Sequence, residues 1–382
     1  MTMTQRAPVD QHVAVGGTCT PEFEPVAAIF ARVVAEIPGG GAAVCVYRDG
    51  VPVIDLHGGP TYGPDSRQLV FSVAKAVSAI AAHAAAERGE LDLDQPIATF
   101  WPEFGRTGTQ TISTRTVLAQ RAGLPAVDKP LTVSAILGGG LEAALERQEP
   151  YWEPGSDHGY HTITFGALLD GIFQRVLGMS VSAYAQHTLA EPLGLRLSFG
   201  VPDGGVDDIV PVRTSGTTTV TLPDTDPTSG QLLAAAGFGL LDDPTAFNSA
   251  PLRAATLPAV SVVARARDLA RLLAATLDPV DGVRILLPAT LNDLRATQSL
   301  GRDRVTGEIS HFGSGVMLPS PRIPFLGPGS FGHDGHGGCL AAAHPESRTA
   351  YAFTTDVVPR IGGASLGALT LMATLRHCLE QS

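Results

Sequence analysis

The sequence predicts a mixed α/β (α+β) fold in which helices flank an antiparallel sheet. Three observations lead to this prediction. A helix and a β-hairpin come first, a pair of strands and a closing helix come last, and helical patterns recur between them. A chain of 382 residues is long enough for one large core or for two packed subdomains.

The two ends of the chain carry the strand signals. Residues 22–36 place apolar side chains at helical spacing, and two β-rich runs then flank Asp49-Gly50, which is typical of a type I′ hairpin turn. From residue 331 onward, two strands separated by a Pro-Glu-Ser turn are expected, followed by a helix over residues 363–380. Together these elements predict an antiparallel sheet packed on helices.

The central elements are mainly helical. Helices are expected over residues 113–122, 163–177, 264–277 and 288–298, from their periodicity and their cap residues. Residues 200–260 are rich in Gly, Pro, Thr and Asp, and we expect loops with short elements that line one side of a cleft.

Residues 71–89 (FSVAKAVSAIAAHAAAERG) form the stretch around which the chain is organised. From Ser72 onward there is no Pro or Gly until Gly89, and Ala is frequent, which predicts a helix with Gly89 at its C-terminal end. The segment between Lys75 and Glu87 carries almost no charge. A helix that is apolar nearly all round is a buried one.

This helix opens with an S-x-x-K tetrad, Ser72 to Lys75. Residues three apart share a helix face, so the Ser72 hydroxyl and the Lys75 amine can meet. A serine needs a base to become a nucleophile, and burial lowers the pKa of a lysine toward the range of a useful base. The Ser72 backbone N–H at the helix N-terminus suits an oxyanion. A chance S-x-x-K is the alternative in a chain of this length.

Tyr160 lies on a predicted loop just before the helix at 163–177. A phenol in this position can relay a proton between Ser72 and a leaving group, and a packing tyrosine is the alternative.

The third motif is FGHDGHGGCL, which begins at Phe331. Its glycines let the backbone approach a ligand, and an edge strand beside Ser72 can supply a second N–H to an oxyanion. His333 and His336 do not have a standard metal-ligand spacing, so no metal is expected.

Composition excludes several function classes. The net charge of −11 argues against binding to nucleic acid or to an anionic membrane surface. No segment approaches the roughly 18 to 20 apolar residues of a membrane span. The N-terminal segment has no apolar core of a secretory signal, and the four dispersed cysteines are typical of reduced thiols, so a cytoplasmic location is expected. We expect no cofactor.

Three motifs in order resemble the active-site motifs of serine β-lactamases and penicillin-binding proteins. They are Ser72–Lys75 (SVAK), Tyr160–Thr162 (YHT) and His333–Gly335 (HDG). Their order and spacing are similar to the class C branch and its DD-peptidase relatives, and the flanking sequence is closer still to the family VIII carboxylesterases of that branch. The resemblance covers roughly residues 20–380.

The resemblance implies a single β-lactamase/transpeptidase-like catalytic domain over residues 1–382. Its α/β subdomain would comprise about 1–90 and 255–382, with a helical and loop subdomain of about 91–254 inserted between them.

The resemblance also implies the residue roles. Ser72 would be acylated, and Lys75 and Tyr160 would share the base and acid work. The N–H groups of Ser72 and His336 would form the oxyanion hole. The substrate-binding positions would be Thr162, His333, Asp334 and Gly335.

Two departures from the β-lactamase pattern concern the substrate. Thr162 replaces an asparagine that contacts the substrate amide, and His333 replaces the lysine that helps to hold the β-lactam carboxylate. Both changes fit an ester without a carboxylate. The chain also lacks G-x-S-x-G, so an α/β-hydrolase has no nucleophile elbow here.

The sequence therefore predicts a serine carboxylesterase that hydrolyses small short-acyl esters through an acyl-enzyme on Ser72. Three alternatives remain: a β-lactamase or DD-peptidase, an acyltransferase, and a non-catalytic ligand-binding relative.

Overall fold

Residues 14–202, 205, 207–214, 227–359 and 362–381 are described by a computed structural model of the chain. The described strands are β1 Val15–Cys19, β2 Ala42–Arg48, β3 Val51–Gly58, β4 Gln68–Leu69, β5 Ser198–Phe199, β6 Arg213–Thr214, β7 Val262–Ala264, β8 Ser299–Arg302, β9 Ile309–Phe312, β10 Phe331–Asp334, β11 Leu340–His344, β12 Thr349–Thr355 and β13 Val357–Val358.

The α-helices lie between groups of these strands and at the end of the described chain. They are α1 Glu24–Ala35, α2 Val73–Glu87, α3 Thr114–Leu118, α4 Val133–Leu137, α5 Gly140–Leu145, α6 Thr164–Leu177, α7 Val181–Ala185, α8 Glu191–Leu193, α9 Pro227–Gly237, α10 Ala250–Ala254, α11 Ala266–Leu277, α12 Pro288–Leu294 and α13 Leu366–Gln381. Short 3-10 helices lie at Pro21–Phe23, Ile97–Thr99, Phe104–Arg106 and Pro244–Asn248, and a π-helical turn lies at Gln186–Ala190.

Both ends of the chain build one six-stranded antiparallel sheet in the order β1-β3-β2-β12-β11-β10. The hairpin between β2 and β3 is confirmed, and Asp49 and Gly50 have φ angles of 53° and 77°. Positive φ at both central residues is the requirement of a type I′ turn. The C-terminal strand pair is also confirmed, with β10 at one edge of the sheet.

Helices cover both faces of this sheet, because alternate strand residues point to opposite sides. Tyr351 and Phe353 of β12 belong to one apolar cluster with residues of α1 and α13. Ala350 and Ala352 belong to another with residues of α2 and α11. The result is a helix–sheet–helix arrangement, and it explains why every residue of β12 is buried.

The helix predicted to carry the nucleophile is confirmed as α2. Ser72 is its N-cap residue, and all thirteen residues from Val73 to Ala85 are buried. Gly89 follows the helix with φ of 72°, in the left-handed conformation that ends helices. The small alanine side chains let neighbouring segments approach this helix from all sides.

The other helices are found where the periodicity placed them, with differences at their ends. The helix expected at 113–122 is α3, which ends early because Gln120 has φ of 62°. The helix expected at 288–298 is α12, and β8 begins at Ser299. In the 200–260 segment, α9 is eleven residues long, which exceeds the short elements expected there. Residues 215–226 of that segment and residues 1–13 lie outside the described ranges.

Among the described residues, no helix is both long enough and apolar enough to cross a membrane. The division into an α/β subdomain and an inserted subdomain of about 91–254 stays a prediction.

Candidate active site

Ser72 lies on the floor of a cavity of about 550 Å³ between the sheet edge, α9 and the β8–β9 hairpin. The residue before it, Phe71, has φ of 48°, which an L-residue other than Asn or Asp rarely adopts. Phe71 is fully buried, packs edge-on against Phe247, and follows Val70, whose N–H donates to Val262 O at 2.9 Å. The chain is thus bent sharply where Ser72 begins the helix.

Lys75 is fully buried one turn into α2, and its Nζ has three oxygen neighbours. These are Ser72 Oγ at 3.2 Å, the carbonyl of Thr162 at 2.8 Å and the carbonyl of Ala259 at 3.2 Å. Burial lowers the pKa of Lys75 well below its ordinary value, and the charge of Asp334 only partly opposes this. A neutral amine has two N–H groups for the two carbonyls, and its lone pair is then left for the Ser72 hydroxyl.

Tyr160 stands beside this pair. Lys75 Nζ is 4.7 Å from the centre of the Tyr160 ring, and that ring stacks on Phe312 with centroids 6.3 Å apart. Burial raises the pKa of the Tyr160 phenol well above its ordinary value, although a hydrogen bond with Ser72 works in the opposite direction. A phenol with a raised pKa stays protonated and can donate a hydrogen bond or a proton.

The backbone of the 158–162 loop is fixed by two distant side chains. The Tyr160 N–H donates to Asp303 Oδ1 at 3.1 Å, and that oxygen also accepts the N–H groups of Val305 and Thr306 at 2.9 Å each. The N–H of His161 donates to Gln120 Oε1 at 2.8 Å. Sequence reasoning missed both Asp303 and Gln120.

His161, between the two motif residues, was also missed. Burial lowers its pKa to about 4, so the imidazole is neutral near neutral pH. Its Nδ1 lies 2.7 Å from the carbonyl of Gly159, and its Nε2 accepts the N–H of Leu124 at 3.0 Å. Both ring nitrogens are therefore used in holding the loop.

Thr162 contacts the Lys75 amine and also lines the cavity. Its carbonyl accepts a hydrogen bond from Lys75, the residue lines the cavity, and its buried Oγ1 has no hydrogen-bond partner among the described residues. A buried hydroxyl without a partner is uncommon, since burial without a hydrogen bond costs free energy.

The third motif packs closely against the residues that precede α2. A Cβ atom on Gly335 would lie 2.1 Å from Val70 O, and one on Gly337 would lie 2.7 Å from the Phe71 ring. Only glycine permits so close an approach. The turn after β10 therefore presses against the residues that precede Ser72, as the predicted close backbone approach requires.

Two backbone N–H groups at this junction are unused. Within the described part of the chain, neither the N–H of Ser72 nor that of His336 donates to a protein acceptor. His336 packs edge-on against Phe71 with ring centroids 5.8 Å apart. Ser72 and His336 both line the cavity.

The predicted substrate-binding residues divide into two groups. Thr162 and Asp334 line the cavity, whereas His333 and Gly335 are not among its lining residues. Asp334 Oδ2 is 2.9 Å from Nη1 of Arg322. Burial acts to raise the pKa of this carboxyl, but the charges of Arg322 and His333 and the hydrogen bonds from Arg322 and the Ala364 N–H together lower it. Sequence reasoning missed Arg322.

His333 is buried behind the cavity. Its Nδ1 lies 2.7 Å from the carbonyl of Asp334, and burial lowers its pKa to about 4. Its Nε2 has no partner among the described residues, and its ring centre is 6.0 Å from that of Tyr160. A neutral imidazole that donates through Nδ1 carries its free lone pair on Nε2. In the described ranges, no group of three His, Cys, Asp or Glu residues is arranged to hold a metal ion.

Comparisons with known proteins identify the family of this chain. Residues 27–370 match the beta-lactamase family model. The esterase/beta-lactamase LipL of Mycobacterium tuberculosis is 31% identical over 370 aligned residues, which cover 88% of this chain and 82% of LipL.

Solved structures share the whole fold. EstA from Arthrobacter nitroguajacolicus Rue61a has a TM-score of 0.87 and 30% identity, over 97% of this chain and 99% of its own. A penicillin-binding protein homologue from Caulobacter crescentus has a TM-score of 0.86 and 28% identity, over 96% of this chain and 100% of its own. A family VIII carboxylesterase has a TM-score of 0.86, over 96% of this chain and 100% of its own, and at 22% identity it supports the fold alone.

The β-lactamase/transpeptidase-like fold implied by the three motifs is therefore confirmed. Because the family model spans most of its length and a relative is 31% identical to it, the chain belongs to the beta-lactamase family.

Proposed function

We propose that this chain is a serine carboxylesterase that works through an acyl-enzyme on Ser72. The observation that carries the proposal is the position of Lys75 Nζ, 3.2 Å from Ser72 Oγ and held by the carbonyls of Thr162 and Ala259. This arrangement leaves the lone pair of a neutral amine for the serine proton. The esterase activity named for LipL supports the choice of an ester as substrate.

In the acylation step, Ser72 Oγ attacks the ester carbonyl carbon and its proton passes to Lys75 Nζ. The carbonyl oxygen becomes an oxyanion, and the free N–H groups of Ser72 and His336 stabilise it. When the tetrahedral intermediate collapses, the C–O bond to the alcohol breaks and Tyr160 delivers a proton to the alcohol oxygen. Lys75 returns its proton to Tyr160, so neither residue changes overall.

In the deacylation step, water takes the place of the alcohol. It gives a proton to the Lys75 and Tyr160 pair as it attacks the acyl carbon, and the pair returns that proton to Ser72 Oγ as the acid leaves. No metal or organic cofactor takes part in this scheme. Thr162 and Asp334 would contact the substrate from the cavity wall, and Gly335 would allow the close backbone approach.

The experiment measures the mass of the intact protein after brief exposure to p-nitrophenyl butyrate and, separately, to a fluorophosphonate. Peptide sequencing then identifies the residue that carries the adduct. We expect one adduct, on Ser72, and its loss in Ser72→Ala. Ser134→Ala, which changes an exposed serine of α4, is the matched control and should keep the adduct. An adduct elsewhere, or full turnover by Ser72→Ala, would contradict the mechanism.

Each alternative function predicts a different result in an assay of its own. Faster turnover of nitrocefin than of esters would indicate a β-lactamase, and release of D-alanine from a peptide would indicate a DD-peptidase. A new acylated product on adding an alcohol acceptor would indicate an acyltransferase. Inertness toward every activated ester would indicate a binding protein. The cytoplasmic location stays a prediction, which cell fractionation tests.

A further inference from the structure

The charged side chains among the described residues that line the Ser72 cavity are mostly negative. These residues carry four carboxylates, of Asp242, Asp303, Glu308 and Asp334, and one guanidinium, of Arg322. His336, which also lines the cavity, has its pKa lowered by burial and is neutral near neutral pH. The described part of the lining therefore has an excess of three negative charges.

Arg322, the cation among the described lining residues, is already paired with two carboxylates. Its Nη1 lies 2.9 Å from Asp334 Oδ2, and its Nε lies 3.3 Å from Glu308 Oε2. One guanidinium is thus shared between two carboxylates. A substrate carboxylate would compete with these two carboxylates for the same positive charge and would be repelled by both.

The four carboxylates differ in how many hydrogen bonds and ion pairs they make with the protein. Asp303 is buried and accepts three backbone N–H groups and the Ser310 hydroxyl, so its charge is stabilised by the protein. Among the described residues, the Glu308 carboxylate has an ion pair with Arg322 alone, and the exposed Asp242 has no ion pair. Glu308 and Asp242 are therefore the two carboxylates that remain available to a ligand.

The apolar residues of the lining indicate that part of the ligand is apolar. Leu233, Leu241, Ile309, Phe312 and Met317 form an apolar wall above Ser72. Thr162 also lines the cavity, and its buried Oγ1 has no hydrogen-bond partner among the described residues. The described lining thus offers an apolar surface and an excess of negative charge.

We infer that the Ser72 cavity selects esters that carry a positive charge next to an apolar group, and rejects esters that carry a carboxylate. This inference rests on the proposed esterase function and names its substrate class. The selection is electrostatic, since opposite charges attract more strongly in a partly enclosed cavity than in bulk water. It also predicts poor turnover of penicillins, whose carboxylate would meet an acidic wall.

The test uses two sets of three esters that differ only in one terminal group. In the first set, p-nitrophenyl esters have an acyl chain of three methylenes that ends in trimethylammonium, tert-butyl or carboxylate. In the second set, ethyl acetates carry the same three groups at the end of the alcohol part. Each kcat/KM is divided by the hydroxide-catalysed rate of the same ester, which removes differences in intrinsic reactivity.

In at least one set, the trimethylammonium ester should exceed the carboxylate ester by at least about tenfold in normalised kcat/KM. This ratio should shrink at high salt, and again in Glu308→Gln or Asp242→Asn. Glu380→Gln, which removes an exposed carboxylate of α13, is the matched control and should leave the ratio unchanged.

Two results would overturn the inference while leaving the esterase function intact: equal normalised rates for cationic and anionic esters in both sets, or a ratio that neither Glu308→Gln nor Asp242→Asn alters. If none of the six esters and no p-nitrophenyl butyrate is hydrolysed, and Ser72 forms no adduct, the proposed function itself fails and the inference fails with it.

Discussion

Lys75 Nζ and Ser72 Oγ lie 3.2 Å apart on consecutive turns of one buried helix. The two other neighbours of the amine come from different parts of the chain, because Thr162 precedes α6 and Ala259 precedes β7. One amine therefore ties together three segments and faces the nucleophile. In the proposed mechanism, the protonation state of Lys75 decides whether Ser72 can be activated.

The pKa of Lys75 can be measured directly, since Lys75 and Lys129 are the only lysines in the sequence. In protein labelled with ¹³C at lysine Cε, two signals are expected, and Lys129→Arg identifies the one from Lys75. Burial lowers the pKa of Lys75, so its signal should titrate well below 10.5. The activity should rise with pH along the same curve, as the base form becomes populated. A Lys75 signal that titrates at 10.5 or above would remove Lys75 as the base.

The same lowered pKa makes a prediction about stability. Between the folded pKa of Lys75 and its ordinary value of 10.5, the unfolded chain binds the proton and the folded chain does not. The free energy of unfolding therefore rises with pH across this window. Lys75→Met should remove this rise, so the stability of the wild-type protein relative to the variant should increase from neutral pH toward 10.5. Urea unfolding at several pH values checks this, with Lys129→Met as the matched control, and parallel curves for wild type and Lys75→Met would contradict it.

Asp303 should act on catalysis through Tyr160. Its Oδ1 accepts the N–H groups of Tyr160, Val305 and Thr306, and Asp303→Ala would leave all three without their acceptor. Each such loss costs about 1–3 kcal/mol when buried, and the Tyr160 ring would be freed from its position over Lys75. We expect kcat to fall by at least about tenfold with little change in KM, since proton transfer depends on geometry.

The conservative variant distinguishes positioning from charge in that experiment. Asp303→Asn keeps an Oδ1 that accepts the three N–H groups, so it should recover most of kcat. If Asp303→Asn is as impaired as Asp303→Ala while both stay folded by circular dichroism, the charge of Asp303 matters more than its position as an acceptor.

The parts of the fold that could be predicted are those with local signals. The type I′ turn follows from Asp49-Gly50, and α2 follows from its alanines and from Gly89. Strand β1 was not predicted, because Gly16 and Gly17 weaken a strand pattern. The structure explains these glycines: Gly17 has φ of 113°, and a Cβ atom there would lie 2.0 Å from Asp55 O. The strand exists because it pairs with β3.

The site residues also divide into those with a local sequence signal and those placed by tertiary contacts. Ser72 and Lys75 are three residues apart on one helix, so their contact could be predicted from spacing alone. Asp303 is 143 residues from Tyr160, and no periodic pattern links the two positions. The ion pair between Arg322 and Asp334 likewise depends on how loops fold over the sheet edge. The contact between Ser72 and Lys75 is thus a local feature, whereas the residues that orient Tyr160 and that set the charge of the cavity are tertiary features.

Gly335 should be required for the oxyanion hole. A methyl group there would lie 2.1 Å from Val70 O, so Gly335→Ala would push the turn that carries the His336 N–H away from Ser72. Loss of one such donor lowers kcat by about 10²–10³-fold in other serine hydrolases. Steady-state kinetics should show this loss mainly in kcat. Gly63→Ala is the control, since a Cβ atom there meets nothing within 4 Å, and full activity in a folded Gly335→Ala protein would exclude the proposed geometry.

His333 should make the protein sensitive to acid. Its pKa is lowered from 6.5 to about 4 by burial, so between these values the unfolded chain binds a proton that the folded chain does not. The free energy of unfolding therefore falls as the pH drops through this window. His333→Gln keeps the residue neutral and polar, and the slope of stability against pH should decrease by up to about one proton near pH 5. His377→Gln, which changes an exposed histidine of α13, controls for the loss of an imidazole as such. If the slope is the same in wild type and His333→Gln, His333 titrates alike in the folded and unfolded chain. Its burial would then not be what keeps the His333 imidazole uncharged beside Tyr160.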